Sequence, residues 1–401
     1  MSNWQKWIVI AVLLALIAST GFVAGFGVGH YVLPAYYPSV AAVQEEHQEQ
    51  FAIFWEAWRL IEDQFYTEEP LNAQSMTYGA VRGMIASLGD PHTAFLTPEQ
   101  ADLFRDDLEG KFGGIGVTVS LTDEGQLRVV RPIPGAPGEL AGLQPGDLIL
   151  EVDGQLITGM DLGQAISLIR GPKDTEVRLL VQDIEGGVRE LTIQRALIEI
   201  PTTETRMLDD GIAYLAVYDC NARAPGGVRE GLKQLLAEDP RGLILDLRGN
   251  PGGYLHVATE IASEFIKDGL LLIERDSEGR ETMHKARGGG TATGIPLAVL
   301  VDSGSASAAE IIAGAIQDNE RGILVGEQTF GKGSVQVTER LSDGSGLQIT
   351  TRRWYTPADR QIDGQGLSPD IEVEITDESL VAQRDSQLER AISYLLSQLS
   401  A

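Results

Sequence analysis

Val299-Leu300-Val301-Asp302-Ser303-Gly304-Ser305-Ala306-Ser307-Ala308-Ala309-Glu310-Ile311-Ile312-Ala313-Gly314-Ala315-Ile316 decides how the chain is read. Three aliphatic residues form a strand, a small-residue turn follows, and the remainder has the composition of a helix. A second strand and a glycine loop come next, ending in Phe330-Gly331-Lys332-Gly333-Ser334-Val335-Gln336. A serine hydroxyl attacks only once a neighbouring base takes its proton, and Ser307 with Lys332 offers such a pair. The lysine must then be neutral, and burial can lower its reference pKa of about 10.4 by up to about 3–5 units. Phe330, Val335 and Val337 supply apolar surroundings, and Gly331 and Gly333 leave room for close approach. In an extended segment, alternation puts Lys332, Ser334 and Gln336 on one face, where Gln336 is placed to hold the amine.

The residues alone leave other readings open. Ser307 with Glu310 also fits the S-x-x-E capping box, in which the serine only starts a helix, and Lys332 also fits a solvated loop lysine. A phosphate loop is excluded: Gly326 to Lys332 matches G-x-x-x-x-G-K, but Gly333 stands where Ser or Thr is required. Val335-Gln336-Val337-Thr338 also alternates like a strand where a helix belongs.

Together, Gly304-Ser305-Ala306-Ser307-Ala308-Ala309-Glu310-Ile311 and Phe330-Gly331-Lys332-Gly333-Ser334-Val335-Gln336 resemble the C-terminal processing peptidases, tail-specific proteases of the serine–lysine type. The resemblance implies Ser307, Lys332 and Gln336 as the catalytic set. The family often has serine where this chain has Ala309, outside that set. Gly242-Leu243-Ile244-Leu245-Asp246-Leu247-Arg248-Gly249-Asn250-Pro251-Gly252-Gly253 is similar to the family's D-L-R-x-N-x-G-G motif. It implies an oxyanion hole made by Gly252 or Gly253 with the N–H of Ala308, since only glycine lets a backbone N–H approach so closely. Asp246 and Arg248 are expected to pin that loop.

Phe112 to about Arg195 is β-rich, and its run Ala141-Gly142-Leu143-Gln144-Pro145-Gly146-Asp147-Leu148-Ile149 resembles a PDZ domain. A helix is expected at 162–169 and a strand at 176–182. Such a module takes a peptide as an added strand and its terminal carboxylate on backbone N–H groups. Gly113, Gly114, Ile115, Gly116 and Val117 are the expected peptide-binding residues, Ile115 and Val117 lining the side-chain pocket. Arg170, at the end of the PDZ helix, has the position of a dipole-complementing cation. Some family members use an arginine here to relay PDZ occupancy to the active site.

The 401 residues, 43% of them hydrophobic, suffice for two or more cores. A formal net charge of −27 argues against nucleic-acid binding through a basic face. The one cysteine, Cys220, rules out an internal disulfide and reads as a strand-end residue. His256 and His284 stand alone, so neither metal nor cofactor is expected. His92, in the family-like Asp90-Pro91-His92-Thr93, reads as structural. Ile8 to Val28 carries no charge and is long enough to span a hydrocarbon core of about 30 Å. Lys6 precedes it and Glu45, Glu46 and Glu49 follow, so a retained anchor with an extracytoplasmic catalytic part is expected rather than a cleaved signal. Phe51, Phe54, Trp55, Trp58, Leu60, Ile61 and Phe65 recur at helical spacing, a packing or dimer-forming stripe.

The expected architecture is α+β and multi-domain: anchor 1–34, helical region 35–107, PDZ 108–197, an α/β ClpP/crotonase-like protease core 198–375, and a closing helix 376–401 that packs on the core or a sister subunit. The function this implies is serine endoproteolysis of proteins with free C-termini through an acyl-enzyme. A non-catalytic PDZ scaffold and a Ser-His-Asp hydrolase using His92, His256 or His284 are the rivals.

Overall fold

The structure is a computed structural model that describes residues 46–122, 125–160, 162–199, 201–374 and 384–399. The expected span Ile8–Val28 lies outside the described residues, among which no helix is long and apolar enough to cross a membrane. The chain divides into two compact units, Met1–Thr77 and Tyr78–Ala401. In the first, α1 (Gln48–Gln64) carries the expected aromatic stripe, with Phe54 4.9 Å from Trp55 and 5.8 Å from Trp58 between ring centroids. No residue of α1 is buried. The helix α2 (Ala73–Ala86) runs across the division.

The second unit opens with β1 (Ala94–Leu96) and α3 (Pro98–Glu109). Thr97 and Gln100 form a capping box at the start of α3, and Gly110 ends it in the left-handed conformation (φ 71°). The strand β2 (Lys111–Gly114) then leads into a separate sheet. That sheet runs β3 (Val117–Leu121), β4 (Leu127–Pro132), β5 (Leu148–Val152), β7 (Glu176–Gln182), β8 (Val188–Gln194), with β6 (Gln155–Leu156) on β5. Short α4 (Pro137–Leu140) and α5 (Leu162–Ile169) flank it. The helix and strand expected at 162–169 and 176–182 are found there. Alternation along β7 buries Val177, Leu179 and Val181 against Leu127, Val129 and Ile149. On leaving, β9 (Ala196–Glu199) pairs antiparallel with β2, Lys111 opposite Glu199 and Gly114 opposite Ala196. The module is thus carried on a two-stranded ribbon.

The remaining core is built on a six-stranded sheet ordered β10 (Thr203–Leu208), β11 (Ile212–Val217), β12 (Gly242–Asp246), β15 (Leu297–Val301), β16 (Ile323–Gly326), β19 (Ile371–Glu372). All are parallel except β10. Every residue of β11, β12 and β15 is buried, which is why these strands read as unbroken apolar runs rather than alternating ones. The helices α6 (Ala224–Leu236), α7 (Leu255–Phe265) and α8 (Ala308–Asp318) cover one face. On the other, α9 (Ser386–Leu399) packs Ala391 and Leu395 against Ile244, Ala298, Leu300 and Val325.

A second, antiparallel sheet joins β1, β18 (Gly346–Tyr355), β13 (Leu270–Asp276) and β14 (Glu281–Lys285), with β17 (Ser334–Arg340) on β18. The Asp90-Pro91-His92-Thr93 turn is stitched to it. Asp90 accepts from the His92 N–H (3.1 Å) and the Thr93 hydroxyl (2.6 Å), and Thr93 Oγ1 in turn accepts from the Thr350 N–H (3.1 Å).

Loops at the carboxyl ends of adjacent parallel strands converge, and in such sheets that is where ligands bind. Arg248, just past β12, fixes one of them. Its guanidinium donates to Asp246 (2.6 Å) and Asp385 (2.8 Å), and to Gln387 (3.0 Å) at the start of α9. Removing one partner of a buried ion pair typically costs about 3–5 kcal/mol. Arg248→Ala should therefore lower unfolding stability by about 3 kcal/mol in denaturant titration. Arg248→Lys should recover only part of it, because lysine lacks the fork that bridges both carboxylates.

Candidate active site

Four neighbouring strands, β11, β12, β15 and β16, end in four loops that carry the candidate residues. After β15, Asp302 Oδ1 accepts from the N–H groups of Gly304 (3.0 Å) and Gly249 (2.8 Å), tying the serine turn to the glycine turn after β12. Ser305 Oγ donates to Leu247 O at 2.8 Å and Ala306 N–H to Asn250 O at 2.9 Å, adding two stitches. Ser307 then takes φ 52°, ψ −112°, a conformation L-residues rarely adopt. Such strain, of order 1–3 kcal/mol, persists only where the surroundings over-determine it.

The over-determining group is Glu310, three residues on and fully buried. Its Oε2 accepts from the Ser307 N–H (2.8 Å) and the Lys332 N–H (2.9 Å). Its Oε1 accepts from the Gly331 N–H (2.7 Å) and the Thr329 hydroxyl (2.5 Å). One carboxylate at the start of α8 therefore holds the backbones of both candidate catalytic residues. Burial pushes the Lys332 amine below its ordinary value, with the Glu310 charge pulling the other way. Trp354 Nε1–H donates to Lys332 O at 3.0 Å and anchors the loop from the far side.

Ser307, Lys332, Gln336, Gly252 and Gly253 line one cavity of about 1050 Å³. Its apolar wall includes Phe104, Leu108, Ile311, Val335 and Trp354. Ser307 Oγ and Lys332 Nζ make no hydrogen bond to each other. Gly252 (φ 106°) lies so close to the serine that a Cβ there would come 2.8 Å from Ser307 Cβ. Its N–H is committed to Asn250 Oδ1 at 2.9 Å. Gly253 (φ 140°) is bridged to Cys220: the Cys220 N–H donates to Gly252 O (2.8 Å) and the Tyr254 N–H to Cys220 O (3.0 Å). Among the described residues the N–H groups of Gly253 and Ala308 have no hydrogen-bond partner. Of the two glycines expected as oxyanion donors, Gly253 is the one with a donor to spare.

Residues 211–373 match peptidase family S41 and residues 128–183 match the PDZ domain. A carboxyl-terminal-processing protease of Synechocystis sp. is 34% identical over 383 residues, 89% of this chain and 88% of that protein. The carboxy-terminal processing protease CtpA of Bacillus subtilis is 35% identical over 323 residues, 80% of this chain and 68% of that one. The chain belongs to the carboxyl-terminal-processing proteases. Among solved structures, the photosystem II D1 C-terminal processing protease superposes with a TM-score of 0.50 at 30% identity, covering 80% of this chain and 92% of that one. The chain is accordingly a serine-type peptidase of family S41 with a PDZ domain.

Several side chains of this peptidase lie differently from their sequence reading. A register shift between Val335 and Gln336 breaks the alternation, so Ser334, Val335 and Gln336 all line the cavity. Gln336 Nε2 donates to Ser334 Oγ (2.9 Å) and Thr350 Oγ1 (3.1 Å), not to the lysine. Phe330 and Val337 are 59% and 44% exposed and absent from the cavity wall, which Val335 and Trp354 line with Lys332 instead. In the PDZ module Gly113 and Gly114 belong to the β2–β9 ribbon, and Gly113 O accepts from the Gly171 N–H. Ile115 is only 2% exposed and sits in the module's core, closed off from solvent, while Val117 at the start of β3 is half-buried. His92, His256 and His284 are absent from the cavity wall; His256 stacks on Tyr254 and His284 pairs with Glu274. Cys220 is buried, its thiol pushed up to about 12 by burial, and is no nucleophile.

Arg170 makes a contact that sequence could not show. Its guanidinium lies 3.9 Å from the Phe112 ring centroid and reaches Asp107 of α3 at 3.1 Å. Asp107 is itself on the cavity wall, along with Phe104 and Leu108 of α3. The carbonyl ends of α5 are capped by Arg195 instead, which donates to Ile169 O (2.8 Å) and Leu168 O (3.0 Å).

Glu310→Gln should keep the fold's outline but turn an amide NH₂ toward N–H donors that now have a carboxylate. A displacement of about 1 Å at reacting groups can lower rate about 10²-fold. The expected outcome is a fall of that order in kcat with KM changed less than about threefold, measured on a fluorogenic peptide.

Proposed function

We propose that Ser307 is the acylated nucleophile, that Lys332 is its base, and that the PDZ domain presents a protein's free C-terminal tail to them. The observation that carries this reading is the shared grip of Glu310 on the Ser307 and Lys332 backbones at the wall of one cavity. As Ser307 Oγ attacks the scissile carbonyl carbon, neutral Lys332 takes the hydroxyl proton. The developing oxyanion lies toward the N–H groups of Gly253 and Ala308, and each such donor is worth about 2.7–4 kcal/mol in the transition state. The C–N bond then breaks as Lys332 returns the proton to the leaving amine. Water, deprotonated by Lys332, attacks the acyl carbon; the ester C–O bond breaks and Lys332 returns the proton to Ser307 Oγ. Gln336 contributes by fixing Ser334 and Thr350 beside the lysine loop. β3 is an edge strand of the PDZ sheet and suits addition of an extended tail. Arg170, between that domain and Asp107 on the cavity wall, supports a relay role. We also place the catalytic unit on the extracytoplasmic side, held by Ile8–Val28, on the strength of that segment's flanking charges.

Two outcomes test the reading. The ammonium form of Lys332 is inactive, so kcat/KM should rise with pH through its titration, with a midpoint below the ordinary 10.5. A buried ammonium is penalised in the folded state below that midpoint, and the penalty fades as pH climbs toward 10.5. Lys332→Met should therefore abolish turnover yet melt higher than the parent at pH 7 in calorimetry.

The second compares one unstructured protein with a free and an amidated C-terminus, with Ser307→Ala as the blank. The free tail should be cut at least about tenfold faster, and Arg170→Ala should narrow that gap. Equal rates for both tails would remove tail capture from the proposal, and cleavage by Ser307→Ala would remove the nucleophile.

A further inference from the structure

Asp219 leaves β11 one residue before Cys220, whose backbone holds the glycine turn. Its half-buried side chain lines the same cavity as Ser307, Lys332 and Gly253. The other charged or titratable groups facing that space are Asp102, Arg105 and Asp107 from α3, Tyr254 beside the glycine turn, Lys332, and Glu339 and Arg340 from β17. The three from α3 are already engaged: Arg105 holds Asp102 at 2.8 Å, and Arg170 holds Asp107 at 3.1 Å. Lys332 has to be neutral to act. Asp219 has no ion-pair partner among the described residues. Burial pushes its carboxyl up to about 6, and the Asp107 charge adds to this while the Asn221 N–H opposes it. A carboxylate kept partly out of water with an acid as its charged neighbour is destabilised until a cation arrives.

We infer that Asp219 sets the charge preference of the cleft, accepting a lysine or arginine side chain of the substrate close to the scissile bond and disfavouring an acidic one there. The inference rests on Ser307 and Lys332 being the catalytic pair. The step is one of recognition and makes no bond of its own. It gives the peptidase a side-chain preference at the cut that is independent of the tail's capture by the PDZ domain.

The test uses the full chain and a series of peptides with one cut site and a free C-terminus. Each residue flanking the cut is in turn lysine, norleucine or glutamate. At one position, lysine should raise kcat/KM at least about tenfold over glutamate, with norleucine between. Asp219→Asn should bring that ratio to within about twofold of unity, and Asp219→Lys should invert it. No preference at any position in the parent enzyme, or an unchanged ratio in Asp219→Asn, overturns the inference. If neither variant folds, the parent's own ratio decides. The carboxylate is ionised above its pKa, so the ratio should collapse as pH falls through about 6. A ratio flat from about pH 5 to about 8 overturns the proposal as well. Ser307→Ala run in parallel separates the two readings. Surviving cleavage there counts against the nucleophile, whereas its loss without any charge preference counts against Asp219 alone.

Discussion

Four donors converge on the Glu310 carboxylate, from the serine turn and from the lysine loop. The two segments follow adjacent strands, β15 and β16, but neither has an intrinsic reason to hold its present shape. Ser307 is in a conformation that an isolated turn would leave. The lysine loop includes Gly331 at φ 89° and has no regular secondary structure before Ser334. A buried acceptor can demand hydrogen bonds because leaving it unsatisfied costs more than a neutral bond gains. The serine's strain is thus balanced against the desolvation of one carboxylate, which also sits where the dipole of α8 favours negative charge.

The rest of the cleft follows from parallel-strand geometry. Neighbouring parallel strands end together, so the turns after β11, β12, β15 and β16 meet without long-range searching. Asn250 shows how tightly they are joined. Its side chain donates to Val217 O at the end of β11 and accepts from the Gly252 N–H, and its backbone carbonyl takes the Ala306 N–H. Gly252 is required for want of a side chain, since a Cβ would press on Ser307. Gly253 keeps a free donor because the Cys220 bridge uses the groups on either side of it. One helix closes the cleft: α3 presents Phe104, Leu108 and Asp107 to the cavity while Asp107 is held by the PDZ domain's Arg170. The pair ties that domain to the cavity wall.

Sequence carried the local elements well. Apolar runs marked β12 and β15, and the pattern around Leu162–Ile169 and Glu176–Gln182 marked a helix and a strand that are found at those residues. Its account of the site was thinner where several segments meet. Ser307 with Glu310 reads as a cap because the two are three apart. The partners that give Glu310 its second role lie 19 to 22 residues further on, with no periodic signal linking them. Alternation put Lys332, Ser334 and Gln336 on one face, and all three line the cavity, but Val335 joins them at an irregularity in pairing that no pattern of side chains announces. Arg170 read as a helix-end cation, yet Arg195, distant in sequence, takes those carbonyls and frees Arg170 to reach Asp107.

A carboxylate near a lysine proposed to act in its neutral form looks self-defeating, since an opposite charge within about 4–6 Å favours the ammonium form. The geometry resolves the conflict. Glu310 meets the lysine through its backbone N–H, and both oxygens are already occupied by donors. The partial positive charges of three backbone N–H groups and a hydroxyl offset the carboxylate's field before it reaches the amine. Desolvation by the cavity wall is then the larger influence, and the lysine's pKa moves down rather than up. Had Glu310 pointed at Nζ itself, the same residue would have fixed the proton in place and removed the proposed base.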